Sequence, residues 1–284
     1  MTSANFSEQT LIGNDFSSQD LSNGLFFQSN LENINFFEAV LAKTNFTNTQ
    51  FNNVNFTGAD LNSSIAIAAA GNNNLNFTNS NLTNSIFFLS QFDRAIFTNA
   101  IINNTNFNKT TLTNSDFTSV NLINSNFQDS NLDNSSFVDT YFLNNNFNRS
   151  NLNNTNFNNA DILLGDFKTA TFQNANLSEV SIQNSDFTNS NFNNADLSNI
   201  NIFSSQLNNV NLIDANLNNA IIIGSDLSGA DLSGANLLGA RIINSDLNEV
   251  NFSGANLLGT DFTGSNLDNA IFDNSSIAAI SNFI

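Results

Sequence analysis

The sequence contains no cysteine, histidine, proline or tryptophan, and only six lysines and arginines in 284 residues. Each absence excludes something. Without cysteine no disulfide holds the fold, although the redox compartment stays undecided. Without histidine and cysteine there is no ordinary Ser-His-Asp triad, no thiol nucleophile and no metal cluster built from the usual ligands. Six basic residues against 24 acidic ones leave a net charge of −18, which argues against sequence-independent binding to a phosphate backbone. No run of about 18 apolar residues is present to span a bilayer. The opening stretch, MTSANFSEQT, has neither a basic n-region nor an apolar h-region, so no secretory signal is expected and the cytoplasm is the expected location.

What the chain has in abundance is asparagine and phenylalanine, the latter 30 times. Asparagine-rich sequence can be disordered, but here the apolar residues are metered rather than scattered. Residues 225–240 read SDLSGADLSGANLLGA, with leucine at 227, 232 and 237. A period of five fits neither the helix (3.6) nor the ordinary strand (2). Every fifth residue from Phe6 to Leu61 is Phe or Leu, and every fifth from Phe77 to Ile277 is Phe, Leu or Ile, giving 12 + 41 = 53 positions, none polar. Two residues before each stands a small residue in most repeats, and one before it most often Asn or Asp.

This metre resembles the pentapeptide-repeat family, with its A(D/N)LXX pattern, over nearly the whole chain. The resemblance implies an all-β fold: a right-handed quadrilateral β-helix, a solenoid with four pentapeptides per coil. The residues support twenty per coil independently. Every twentieth residue from Phe87 gives Phe107, Phe127, Phe147, Phe167 and Phe187, then Leu207 through Leu267, whereas another column runs Ile162, Ile182, Ile202, Ile222, Ile242. The small position sorts as well, with Ser125, Ser185, Ser205, Ser225, Ser245 and Ser265 in one column. Each pentapeptide is then one side of a square, its central residue and the small residue two before it facing inward, as close packing of a narrow interior requires. About fourteen coils spaced by about 4.8 Å make a single solenoid over 1–284, a rod of roughly 65 Å, with all 53 metered residues inside.

The metre breaks once, because Leu61 to Phe77 is 16 residues, three repeats plus one. Residues 62–76 therefore form either a one-residue bulge with a poor core, where Gly71 or Asn72 stands in place of Phe, or a projecting loop. No capping helix is expected at either end, and the apolar tail at 278–284 is expected to cover the last coil, since an open β-helix end exposes unpaired backbone.

No catalytic, cofactor-binding or metal residue is proposed. The glycines of SGADLSGANL resemble a phosphate-binding loop only superficially, and they fall at the outward turn position of the repeat. Two outward rows are candidates for interaction. Ile123, Leu143, Leu163, Phe203, Ile223 and Ile243 form an apolar row interrupted at Gln183. Next to it run Asp166, Asp186, Asp226 and Asp246, interrupted at Gln206. The composition fits a non-catalytic protein-interaction scaffold whose partner is another protein or a second copy of the chain.

The resemblance adds an alternative. Characterised members of the family bind DNA gyrase or related topoisomerases as acidic mimics of DNA, protecting them from topoisomerase poisons, and many members occur in cyanobacteria. Duplex DNA carries one charge per about 1.7 Å, nearly 40 over 65 Å. A net 18 gives about half that density, spread over several sides.

Overall fold

The computed structural model describes residues 4–71 and 74–276. The chain forms a right-handed, four-sided parallel β-solenoid of about 12 turns, slightly fewer than the fourteen expected. It divides into two compact units, residues 1–141 and 142–284, each described in turn. The expected cap at 278–284 lies outside the described residues.

One pentapeptide explains the whole. In Asn191–Ala195, Phe192 points inward, and the Asn191 side-chain oxygen accepts the backbone N–H of Asn193 at 3.0 Å. Asn194 takes a left-handed conformation (φ 57°), and the Ala195 N–H closes the turn on the Phe192 carbonyl at 3.0 Å. Asn and Asp most often supply both special positions because their short polar side chains cap local N–H groups and tolerate positive φ. At residues 229, 234 and 239 glycine takes the left-handed position, which settles its role as a turn residue.

In the first unit the strands β1 (Thr10–Ile12), β2 (Asn30–Glu32), β3 (Gln50–Asn52), β4 (Ala70–Gly71) and β5 (Gln91–Phe92) stack in parallel along one side. The paired strands β6 (Ile101–Asn103) and β7 (Asn121–Ile123) begin half a coil later and so lie on the opposite side. The interior is a set of phenylalanine columns. Phe87, Phe107 and Phe127 stack with centroids 5.0 and 4.8 Å apart, and Phe97 meets Phe107 edge-on at 85°.

The register steps once. Phe51 pairs with Gly71, an offset of 20, but Asn55 bridges Asn76, an offset of 21. The extra residue therefore falls between Gly71 and Asn76, while residues 62–71 stay on the coil. Ala66 and Gly71 take two places that Phe or Leu fills elsewhere. Leu75, at a normally small position, is buried and turns its Cδ2 to 2.7 Å from where a Cβ on Gly71 would sit. A large residue in the small slot offsets a missing one beside it.

The second unit carries β8 (Tyr141–Leu143) from Phe142 onward, β9 (Asp161–Leu163), β10 (Ser181–Gln183), β11 (Asn201–Phe203), β12 (Ile221–Ile223) and β13 (Arg241–Ile243) on one side. From β9 to β13 each residue pairs with the one twenty later. Outside, asparagine amides form ladders: Asn216 donates to Asp196, Asn236 to Asn216 and Asn256 to Asn236, at 2.9, 3.2 and 2.9 Å. The expectation that every metered residue is buried fails at the ends. Phe6, Leu11, Leu267 and Phe272 are only half-buried, because each lacks a coil on one side.

Candidate functional site

The strand side of the second unit differs from its other three sides. There, from the coil of Ile162 to that of Ile242, the N–H three residues after the central residue turns away from the central carbonyl, and the segment lies extended instead. Ile, Leu and Phe after the central residue suit extended backbone. The orphaned N–H is met by a serine one coil further on: Ser185 N–H donates to Ser205 Oγ, Ser205 N–H to Ser225 Oγ and Ser225 N–H to Ser245 Oγ, each at 3.2 Å. Each hydroxyl in turn donates to the carbonyl two residues before it, Ser205 to Phe203 at 2.9 Å and Ser245 to Ile243 at 3.0 Å. The serine column seen in the sequence is thus the element that holds this side flat.

On that flat side Leu143, Leu163, Phe203, Ile223 and Ile243 occupy the third position of β8, β9, β11, β12 and β13, all half-buried. Gln183 occupies the same position of β10, exposed, between Leu163 and Phe203. Ile123 lies in the first unit, at the third position of β7 opposite Asn103. Leu164 (49 % exposed) and Ile221 widen the apolar surface. They fall outside the chosen column, and reading the flanking outward positions of the same coils would have found them.

The four carboxylates stand in register on the adjoining side: Asp166 bridges Asp186, Asp186 bridges Gln206, Gln206 bridges Asp226, and Asp226 bridges Asp246. None is a free charge. Asp186, Asp226 and Asp246 each accept the N–H two residues on, from Thr188, Ser228 and Asn248. Lys168, which the metre gave no reason to single out, spans the first pair, with Nζ 3.2 Å from Asp166 and 3.0 Å from Asp186. Partial burial pushes the Asp186 carboxyl up, but the Thr188 and Lys168 hydrogen bonds outweigh it and hold it below the ordinary aspartate value. Burial likewise opposes, and hydrogen bonds from Ser228 and Asn208 outweigh, at Asp226, which also sits low. The hydrogen bond to Asp186 raises the Lys168 ammonium.

Among the described residues no group of three or more His, Cys, Asp or Glu is placed to hold a metal ion. No described helix is long and apolar enough to cross a membrane. The site offers a rigid surface to cover, with a partly neutralised acidic border.

The family model described as pentapeptide repeats matches in eight copies, at residues 29–65, 90–129, 125–162, 166–202, 201–239, 211–248 and 245–277. No curated protein matches the sequence. Among solved structures the chain is similar to HetL, a pentapeptide repeat protein involved in heterocyst differentiation regulation in the cyanobacterium Nostoc sp. strain PCC 7120. Identity is 18 %, coverage 81 % of this chain and 89 % of that one, and the TM-score 0.37. It is also similar to full-length QnrB1, a plasmid-mediated fluoroquinolone resistance protein (16 % identity, 90 % of each chain, TM-score 0.20). A third, Rfr23 from the cyanobacterium Cyanothece 51142, shares 31 % identity over 37 % of this chain and 63 % of its own, with a TM-score of 0.19.

Proposed function

Because the chain belongs to the pentapeptide-repeat family, we propose that it is a cytoplasmic, non-catalytic scaffold that binds another protein through the apolar row of its second unit. The observation that carries this reading is the register. Phe203, Ile223 and Ile243 present apolar side chains from the same position of consecutive paired strands, on backbone already fully hydrogen-bonded to its neighbours. Such a row is preorganised, so covering it sacrifices little conformational freedom. The apolar area removed from water contributes about 25 cal/mol per Å². The adjoining carboxylates, tied into turns and bridged by Lys168, act mainly on the rate of encounter, an effect that fades with salt.

The test compares affinity capture from the native cell by the wild type and by Leu163→Ser/Phe203→Ser/Ile223→Ser. The apolar variant should lose the captured partner while keeping its circular dichroism and melting curve, since these side chains lie outside the core. Asp186→Asn/Asp226→Asn/Asp246→Asn should slow association more than it weakens the complex. If the Asp variant loses the partner and the apolar variant keeps it, the acidic side is the working surface. The DNA-mimic reading then replaces this one, to be followed by a gyrase supercoiling assay.

A further inference from the structure

A separate apolar surface lies in the first unit, on the side whose inward residues are Phe6, Phe26, Phe46, Ala66, Phe87 and Phe107. The residues just before these, from Asn5 through Leu25, Ile65 and Ile86 to Asn106, are joined coil to coil by parallel bridges. The residues just after them include Phe27, Ile67 and Phe88. Leu89 adds a side chain 47 % exposed. In a chain of net charge −18, the three outward positions on these six coils hold one acid, Glu8, and one base, Lys109. Both are exposed, and both occupy the left-handed corner position of their pentapeptide (φ 60° and 57°).

The order of these residues is close to symmetric about the line between the coils of Phe46 and Ala66. Turn a second copy antiparallel about that line, face to face. The first coil then meets the sixth and the second meets the fifth. Leu25 faces the Ile86 of the other copy, Phe27 faces its Phe88, and Glu8 faces its Lys109, each pair coming from the same row of the pentapeptide. The polar third coil, with Asn45 and Thr47, receives Ile65 and Ile67.

We propose that this side is a self-association surface, on which two copies of the chain pair antiparallel, with Leu25, Phe27, Ile86 and Phe88 meeting on both flanks of the axis and Glu8–Lys109 ion pairs at both ends. Charge selects a second copy as the occupant of this surface. Elsewhere two strongly acidic chains repel, whereas here the approaching surfaces are uncharged between their ends, neutral in sum and complementary at those ends. The six coils span about 24 Å, so the patch is small beside the roughly 800 Å² per partner of a standard interface. The dimer is accordingly weak and forms at high protein concentration. None of these residues belongs to the apolar row of the second unit, so the two surfaces are separable.

Sedimentation equilibrium over a concentration series of the full chain tests this. The wild type should fit a monomer–dimer equilibrium, and Phe27→Ser/Phe88→Ser should shift it to monomer. Lys109→Glu places two acids together at both ends and should raise the dissociation constant about tenfold or more. Glu8→Lys should do the same, and the double exchange Glu8→Lys/Lys109→Glu should restore the wild-type constant. The charge exchanges fall at exposed positions, and recovery in the double exchange excludes a folding defect. A wild type that stays monomeric overturns the proposal, as does a dimer indifferent to these substitutions. A dimer abolished by Leu163→Ser/Phe203→Ser/Ile223→Ser also overturns it, by moving self-association to the second unit, whereas loss of the captured partner alone bears only on the scaffold reading.

Discussion

Ser205 and Ser190 occupy the same inward small position of their pentapeptides, and both are about 1 % exposed, yet their replacement by alanine should have opposite consequences. Ser205 lies on the open strand side. Its Oγ accepts the Ser185 N–H at 3.2 Å and donates to the Phe203 carbonyl at 2.9 Å. Alanine leaves that N–H buried without an acceptor, and the space vacated by one hydroxyl is too small for water. The Phe203 carbonyl keeps the Asn184 N–H at 3.1 Å, so the loss falls mainly on Ser185. An orphaned buried donor costs about 1–3 kcal/mol. Ser190 lies on a closed side, where its own N–H is already bonded to the Phe187 carbonyl at 3.0 Å and its hydroxyl has no partner. Removing an unsatisfied buried hydroxyl should be neutral or stabilise by up to about 1 kcal/mol. Urea titration followed by circular dichroism measures both, provided the slope is unchanged between variants. Ser205→Ala should lower the midpoint, Ser190→Ala should hold or raise it, and Ser205→Thr, which keeps the hydroxyl, should resemble the wild type. Equal losses for the two alanine variants would falsify the division into open and closed sides.

Phe107→Ala should cost about 3–5 kcal/mol, because the stacked rings of Phe87 and Phe127 are held by their own coils and cannot close the gap; a loss no larger than that of the outward Asn106→Ala would contradict it. Asp186 and Asp226 have folded-state values below the ordinary aspartate value, so the stability they contribute is present above about pH 4 and lost as pH falls through the lower folded values. The urea midpoint should therefore drop on acidification, and Asp186→Asn/Asp226→Asn should flatten that limb; an unchanged limb would count against these hydrogen bonds. Amides of residues 65–71, on the coil whose large positions hold Ala66 and Gly71, should exchange faster than those of 97–107, and equal protection would show that Leu75 restores the core fully.

The fold was legible because its rule is a volume rule: one large and one small residue inward per side, the large one never polar from Phe77 to Ile277. The column of serines was legible too, but not its purpose, which depends on one side lacking the turn bond that the others have. Lys168 escaped notice because a long side chain reaching the next coil leaves no trace in a metre of five. The apolar surface around Phe88 escaped for a different reason. Ile65 and Ile86 touch across the register step and stand 21 apart, so columns drawn at twenty never align them. The apolar row from Ile123 to Ile243 lies wholly after the step, so a spacing of twenty aligns it.

In the language of crystals, the extra residue between Gly71 and Asn76 is a dislocation. The rows on either side of it keep their spacing, the phase of every later column in that unit slips by one, and the disturbance heals within a single coil. It heals there because Ala66 and Gly71 leave the volume into which Leu75 turns. A chain of this kind therefore has two ways to change length. Whole coils of twenty residues can be gained or lost anywhere in phase, whereas a single residue can be gained only where the interior has been emptied to receive it. The undersized coil is the place where the lattice admits a defect, and a one-residue insertion beside Phe97 or Phe107, where every neighbouring place is full, would have nowhere to relax.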